Sequence, residues 1–157
     1  MYLLFLLIAP IIFLADQGSK ALVRANIPLG ESVDLIPGKL TLTHVRNKGA
    51  ANGLFSNNRK ALMFFSAIAV ISDILTFFDL RRHYRHCKAA WLMYAMHIGG
   101  GASNLFDRLT KRPTIDYLQL CPRKKTPVFN IADIFILIGA VGLIIIYLKM
   151  LILPRES

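Results

Sequence analysis

Apolar residues along the chain gather into long runs that are separated by polar connections. A helix that crosses a membrane needs about 20 mainly apolar residues, and four runs approach or meet this length. They lie at approximately 2–15, 61–78, 89–106 and 131–153. The first run is short and the third is interrupted by His97 and by glycines at 99–101, whereas the fourth is unambiguous. The pattern predicts an all-α membrane protein, a single domain over 1–157 with four transmembrane helices.

The connection between the first two runs contains a candidate strand. The segment 'GKLTLTHVRN' alternates two sets of side chains with a period of two and is rich in β-branched residues, which favours a strand. Prolines and glycines at 28, 30, 37 and 38 indicate turns in this connection. We therefore predict a small extracytoplasmic β-element at approximately 21–58 that lies on the membrane surface.

Composition supports a membrane protein and argues against other classes. Apolar residues make up 55% of the chain, more than an ordinary soluble domain contains. The net charge of +10 comes from basic residues in the connections, where they favour contact with anionic lipid headgroups. The sequence shows no basic helix with interleaved aromatic residues, so membrane lipids and not nucleic acid are the predicted partners. We expect the protein to be a monomer.

Two further features concern processing and the cysteines. Only two residues precede the first apolar run and 'LADQGSK' follows it, so we expect a retained helix rather than a cleaved signal peptide. Cys87 and Cys121 lie in different connections and lack metal-ligand spacing. With four spans these connections lie on opposite sides of the membrane, which excludes a disulfide between them.

The basic residues give two conflicting indications of orientation. The connection at 79–88 contains four of them within ten positions, a density typical of a cytoplasmic segment. The segment at 107–130 carries six and favours the opposite orientation. We expect both termini on the cytoplasmic side.

Ionisable residues at the ends of the apolar runs are candidates for function, because charge near lipid is costly. Asp16 and Lys20 are spaced to pair on one helix face, either as an interfacial anchor or as part of a site. Asn104, Asp107 and Arg108 follow the glycines of the third run, which allow another helix to approach closely. This cluster is either a solvated helix end or a site, and its place beside a packing surface favours a site.

Asp116 and Asp133 are candidates for acid–base chemistry. Asp116 is embedded in the apolar segment 'TIDYLQL', where poor solvation raises the pKa of a carboxyl group. Asp133 follows Asn130 at capping-box spacing, so helix capping alone is sufficient to explain it. Prolines at 113, 122 and 127 prevent one continuous helix between the acids and allow the chain to fold back. Two carboxyl groups that share a proton can deprotonate water and protonate a carbonyl oxygen and a leaving amine.

Five short motifs occur along the chain: 'DQGSK', 'RNKGAA', 'GGGASNLFDR', 'TIDY' and 'FNIAD'. They resemble, in order, an Asp-Gln-x-Ser/Thr-Lys motif, an Asn-x-Gly-Ala-Ala segment, a glycine-rich Asn-x-x-Asp-Arg, a Val-x-Asp-Phe-like acid and Phe-Asn-x-Ala-Asp. These are motifs of the lipoprotein signal peptidase (signal peptidase II) family, the membrane aspartyl peptidases of bacteria. The resemblance runs from about 16 to 136, nearly the whole chain.

The resemblance implies a site and a substrate. Asp116 and Asp133 would be the catalytic pair of an aspartic-type endopeptidase that uses no metal or cofactor. Five residues would bind the substrate and position the pair: Asn47, Gly49, Asn104, Arg108 and Asn130. Three more would support the site: Asp16, Lys20 and Asp107. The substrate would be a prolipoprotein whose cysteine carries diacylglycerol, cut just before that cysteine at the extracytoplasmic face of the bacterial cytoplasmic (inner) membrane.

Some departures and alternatives stay open. Asn52, Ser103 and the basic segment at 121–127 differ from the family pattern, which concerns substrate choice more than chemistry. A small membrane transporter with a carboxylate proton relay would place ionisable groups through the membrane depth, and Asp73 and His97 are the candidates for mid-span positions. A family member without catalytic activity is the other alternative.

Overall fold

The computed structural model describes residues 2–47, 49, 58–83, 87–110, 113–124 and 126–152. Within these residues the chain forms four α-helices and four strands. The helices are α1 (Tyr2–Asn26), α2 (Arg59–His83), α3 (Lys88–Leu109) and α4 (Ile131–Ile152). Helix α3 packs against the other three and occupies the middle of the bundle. Each apolar run therefore corresponds to one helix, as predicted.

The strands form one antiparallel sheet beside the start of α4. They are β1 (Ser32–Ile36), β2 (Leu40–Asn47), β3 (Thr114–Leu120) and β4 (Val128–Phe129), and they pair in this order. Strand β2 confirms the prediction from 'GKLTLTHVRN'. Strands β3 and β4 were not predicted; they come from the connection between α3 and α4, and a short 3-10 helix separates them. The sheet therefore joins two segments that are distant in sequence.

The first helix is longer than its apolar run. It continues to Asn26, so the predicted start of the β-element near 21 is wrong. The helix continues because Asp16 and Lys20, which interrupt the apolar run, are buried and pair with each other. Beyond them, Val23 packs in an apolar cluster with Tyr117 of β3, so the last turns of α1 support the sheet.

Three of the four helices are long and apolar enough to cross a membrane, over Leu6–Asn26, Arg59–Asp79 and Ile131–Ile152. Their outer faces carry large apolar side chains, such as Leu14 at 67% exposure and Leu75 at 65%. Helix α3 differs because two of its glycines and several of its polar residues lie inside the bundle. The predicted spans through α1, α2 and α4 are therefore supported. The remaining predicted span, through α3, stays a prediction.

The glycines of α3 allow close contact with its neighbours, as the sequence predicts. A Cβ atom at Gly99 would lie 2.7 Å from the carbonyl oxygen of Ala9 in α1, and one at Gly100 would lie 2.5 Å from that of Ala132 in α4. A side chain at either position would force the helix backbones apart. The close contact brings the polar end of α3 against α1 and the start of α4.

Candidate active site

A cavity of about 430 Å³ opens where the sheet meets the end of α3 and the first turns of α4. It is lined by both predicted catalytic acids and by four of the five predicted positioning residues: Asp116, Asp133, Asn47, Gly49, Asn104 and Arg108. The fifth, Asn130, is fully buried behind the wall. The fold thus gathers residues from three strands and two helices around one space.

Asp133 belongs to a reciprocal cap at the start of α4. The Asn130 side-chain oxygen accepts a hydrogen bond from the Asp133 backbone N–H at 2.9 Å, and Asp133 Oδ2 accepts one from the Asn130 backbone N–H at 3.2 Å. This is the predicted capping box. The second carboxylate oxygen, Oδ1, accepts from the Asn104 amide at 2.8 Å. Asp133 is therefore both a helix cap and a cavity residue.

Asp116 lies on β3 and is 3% exposed. The Asn47 amide donates to its Oδ2 and the Asn130 amide to its Oδ1, each at 2.8 Å. Burial, helped by the charge of Asp133, raises the pKa of Asp116 to about 6 even though both amide donors lower it. This confirms the raised pKa predicted from the apolar surroundings in the sequence.

Asn130 connects the two acids. Its amide nitrogen donates to Asp116, while its amide oxygen and its backbone N–H are bonded to Asp133. Asn104 completes the arrangement, because it donates to Asp133 and accepts from Lys20 Nζ at 3.0 Å. Each carboxylate therefore receives two N–H donors and faces the same cavity. A pair held in this way can share a proton and act as base and acid towards one water molecule.

A buried ion cluster lies beside the acids. Lys20 Nζ is 2.6 Å from Asp16 Oδ2 and 2.7 Å from Asp107 Oδ2, and the Asp16 and Lys20 side chains are at most 1% exposed. Asp16 Oδ1 also accepts from the backbone N–H of Ala132 at 3.0 Å, in the first turn of α4, where the helix dipole favours an anion. The cluster joins α1, α3 and α4. The Asp16–Lys20 pair is therefore internal and not an interfacial anchor.

Arg108 lines the cavity but is bonded away from the acids. Its Nη1 donates to Ser66 Oγ of α2 at 2.8 Å, and its backbone carbonyl accepts from Arg59 at 2.5 Å. Its Nε is buried and has no hydrogen-bond partner among the described residues. The positive charge of the guanidinium group still interacts with Asp133, Asp107 and Asp116.

Gly49 shapes the chain after β2. Its backbone N–H donates to the Asn47 side-chain oxygen at 2.9 Å, the type of local bond that turns a chain. The bond leaves the amide nitrogen of Asn47 free to donate to Asp116. Gly49 therefore orients Asn47 in addition to lining the cavity.

Some residues of the site were not predicted from the sequence. Gln17 donates to Ser103 Oγ at 2.9 Å and to Asp107 Oδ1 at 3.1 Å, and Ser103 donates to Asp16 Oδ2 at 2.6 Å. Ser103 is fully buried, so this departure from the family pattern lies in the ion cluster and not at the cavity. The signal for Gln17 was its place beside Asp16 in 'DQGSK'. Asn52, a second departure from that pattern, lies outside the described residues.

A second polar pair lies away from the cavity. His97 Nδ1 of α3 is 2.6 Å from Asp73 Oδ2 of α2, with side chains 23% and 18% exposed. The structure places the two mid-span candidates together as a contact between packed helices, while the cavity acids lie at the end of the bundle. In the described part of the chain, no group of three or more His, Cys, Asp or Glu side chains could hold a metal ion.

The long apolar helices are typical of a membrane protein, and comparison with known proteins gives its family. A family model described as Signal peptidase (SPase) II matches residues 8–149. The chain belongs to the signal peptidase II family, and its homologues indicate a peptidase. The resemblance drawn from the five motifs is confirmed.

The relatives are lipoprotein signal peptidases of diverse bacteria. The chain is 34% identical over 143 residues to that of Enterococcus faecalis, covering 90% of this chain and 85% of the relative. It is 33% identical over 141 residues to that of Nitratidesulfovibrio vulgaris, covering 88% and 86%. It is 41% identical over 137 residues to that of Shewanella amazonensis, covering 86% and 81%.

Two solved structures share the fold. Both are described as bacterial membrane enzyme structures obtained by the in meso method, at 2.3 and 1.9 Å resolution. The first has a TM-score of 0.86 at 26% identity and covers 98% of this chain and 92% of its own. The second has a TM-score of 0.76 at 27% identity and covers 92% of both chains.

Proposed function

We propose that this protein is an aspartic-type endopeptidase that removes the signal peptide from diacylglyceryl-modified prolipoproteins, cutting just before the lipidated cysteine. One observation carries the proposal: Asp116 and Asp133 face a single cavity, and each is held by two N–H donors. The family and the names of the relatives support the substrate class.

The proposed mechanism starts from an acid pair that shares one proton. The ionised carboxylate takes a proton from water as the water oxygen attacks the scissile carbonyl carbon, and the protonated partner donates its proton to the carbonyl oxygen. The acid that gained the water proton then passes it to the amide nitrogen, and the C–N bond breaks. As the carbonyl re-forms, the other carboxylate recovers a proton from the diol. The pair returns to its singly protonated state, and one water is consumed for each bond cut.

Three amide side chains hold the pair for this reaction: Asn47, Asn104 and Asn130. Because every carboxylate oxygen has an N–H donor, neither acid rotates freely, and the position of the attacking water is restricted. Lys20, in the neighbouring ion cluster, adds a positive charge that lowers the pKa of Asp116 and so favours the base form of the pair. The guanidinium group of Arg108, at the cavity wall, is proposed to bind a carbonyl oxygen of the substrate peptide.

The cavity wall suits a substrate that carries lipid. Beside the acids the wall continues along α4 through Ile136, Leu137 and Ala140, and Leu137 is 64% exposed on the outside of the bundle. The polar site therefore borders an apolar surface of a helix that can span the membrane. The diacylglycerol group can stay in the bilayer along this surface while the peptide reaches the acids.

For the topology, we propose four spans in the bacterial cytoplasmic membrane, with the cavity on the extracytoplasmic side and both termini in the cytoplasm. The two native cysteines, Cys87 before α3 and exposed Cys121 after β3, then lie on opposite sides. In right-side-out membrane vesicles, a membrane-impermeant thiol reagent should label Cys121 and spare Cys87. The two Cys→Ala variants identify the labelled site. Labelling of Cys87 in sealed vesicles would contradict this topology.

Cleavage of a lipidated precursor by the purified protein tests the proposed activity. In detergent, the protein should convert a diacylglyceryl-modified prolipoprotein to its mature form, and mass spectrometry should place the new N-terminus at the lipidated cysteine. The same precursor without lipid is the matched control and should be cut far more slowly. Equal cleavage of both precursors would show that the protein does not require the lipid on its substrate. Failure of the folded protein to cut either would overturn the proposed activity.

Asn47→Ala should move the pH profile of cleavage to higher pH. Burial and the charge of Asp133 raise the pKa of Asp116 to about 6, and in the proposed mechanism the pair loses activity when Asp116 gives up this proton. Cleavage should therefore fall as the pH rises through this region. The Asn47 amide lowers the pKa of Asp116, so its removal raises that pKa. The fall in cleavage on the alkaline side of the pH profile, its alkaline limb, should then occur at higher pH.

The measurement is kcat/KM as a function of pH for both proteins. Asn26→Ala removes an exposed amide that bonds the Leu22 carbonyl, and this control should leave the profile in place. If the alkaline limb of the Asn47→Ala variant coincides with that of the wild type or lies at lower pH, Asn47 does not control the titration of Asp116.

A further inference from the structure

Tyr117 follows Asp116 on β3 and is 3% exposed. Because successive side chains of a strand point to opposite faces, Asp116 faces the cavity while Tyr117 points towards α1. There its hydroxyl oxygen lies 2.6 Å from Ser19 Oγ. Ser19 donates its own proton to the Asp16 carbonyl oxygen at 2.9 Å. Tyr117 is therefore the donor in its contact with Ser19.

This contact is also linked to the start of α4. The Ile131 side chain packs on the apolar cluster that contains Tyr117. Asp16, whose carbonyl oxygen accepts from Ser19, also accepts with its Oδ1 from the backbone N–H of Ala132 at 3.0 Å. Ile131 is the first residue of α4, where backbone N–H groups have no partner within the helix. The hydroxyl of Tyr117 therefore joins β3 to α1, and α1 in turn holds the first turn of α4 through Asp16.

We infer that Tyr117 and Ser19 are positioning residues that set the separation between Asp116 and Asp133; this inference rests on the proposed function. Tyr117 adjoins Asp116 in the chain, and Ala132 adjoins Asp133. The Tyr117–Ser19 contact and the Asp16–Ala132 contact, both made by α1, therefore fix the strand of one acid against the helix of the other. The amide side chains orient the carboxylates, whereas the hydroxyl fixes the backbones that carry them. Such a constellation works when it is held within about 0.5 Å.

Tyr117→Phe removes the hydroxyl and keeps the ring. We expect kcat to fall roughly 3- to 10-fold, the effect of one hydrogen bond, with KM unchanged. The pH profile should also shift, because proton sharing depends on the separation of the acids. Ser19→Ala should produce the same two changes. The double variant should be no slower than either single variant, since both substitutions remove the same contact.

Tyr147→Phe is the matched control, because it deletes a hydroxyl that bonds Tyr94 at 3.0 Å near the other end of α4. It should leave both kcat and the pH profile unchanged. Thermal melts in detergent accompany the kinetics, and kcat is expressed per folded protein. If Tyr117 had only a structural role, the Tyr117→Phe substitution would lower the melting temperature without moving the pH profile.

A folded Tyr117→Phe variant with the wild-type kcat and pH profile would overturn the inference. Single-variant effects that multiply in the double variant would overturn it as well, because they would mean two independent contacts. If the wild type does not cleave the lipidated precursor, the proposed function fails and this inference fails with it. If the wild type cleaves the precursor and the Tyr117→Phe variant is unaffected, this inference fails and the proposed function stands.

Discussion

Neither Asp116→Asn nor Asp133→Asn should cleave a diacylglyceryl-modified prolipoprotein at a measurable rate. An amide can neither accept the proton of the attacking water nor donate one to the carbonyl oxygen, and general acid–base catalysis of this kind contributes about 10²–10⁴-fold for each role. The acids share one cavity, so loss of either group disables both roles. Single-turnover cleavage by each purified variant, with enzyme in excess, is the measurement.

The effects of the two substitutions should not multiply. Residues that act as a unit are strongly non-additive, so the double variant should be scarcely slower than either single one. Binding of the lipidated precursor should survive, because asparagine has nearly the size and shape of aspartate. Metal chelators should leave the wild-type rate unchanged, since in this mechanism a proton polarises the peptide bond.

Stability measurements separate a chemical effect from unfolding. The folded protein raises the pKa of Asp116 from 3.8 to about 6, so ionisation of this group disfavours the folded state progressively as the pH rises through that interval. At neutral pH the cost is fully present, and Asp116→Asn removes it. The variant should therefore melt no lower than the wild type.

The matched substitution for these variants is Asp34→Asn, on the exposed strand β1, which should retain full activity. Substantial cleavage by a folded Asp116→Asn or Asp133→Asn variant would remove that carboxylate from the mechanism. For Asp133, such a result would leave the helix cap as its role.

The features that the sequence predicted best are those with a local physical cause. Four apolar runs give four helices because each run is long enough to form one. The cap at Asn130 and Asp133 follows from residue type and spacing at a helix start. The acids were found because a carboxylate beside an apolar run is costly and needs an explanation.

The features that the sequence did not predict depend on partners distant along the chain. Strand β3 contains an acid within an apolar segment, and it is a strand because it pairs with β2. Helix α1 passes through Asp16 and Lys20 because Asp107 and Ser103 of α3 complete their contacts. The hydropathy pattern shows where charged residues interrupt the apolar sequence. It does not show that side chains of a second helix neutralise those charges, so it does not predict that the helix continues.

Helix α3 illustrates the limit of hydropathy as a signal. Its buried residues include two glycines and the polar residues Ser103, Asn104 and Asp107. A helix at the middle of a bundle contacts protein on several sides, so it does not need the continuous apolar surface that a lipid-facing helix needs. Its interrupted run therefore reflects its central position and the site that it carries.

Lys20→Met should destabilise the folded protein by about 3–5 kcal/mol, the loss typical of removing one partner from a buried ion pair. The ammonium group lies between the carboxylates of Asp16 and Asp107 and also donates to Asn104. Methionine fills much of the same volume but leaves two buried carboxylates without their cation. The melting temperature in detergent is the measurement, and Lys39→Met, at an exposed turn before β2, is the control that should melt with the wild type.

A second substitution shows whether charge is the cause of this destabilisation. Adding Asp16→Asn to Lys20→Met removes one of the two stranded charges, so the double variant should melt above Lys20→Met alone. Such recovery is the expected sign of coupled residues. If Lys20→Met melts with the wild type, the ion cluster contributes little to stability. Loss of cleavage by that stable variant would then mean that Lys20 acts on the chemistry, through the charge it presents to Asp116.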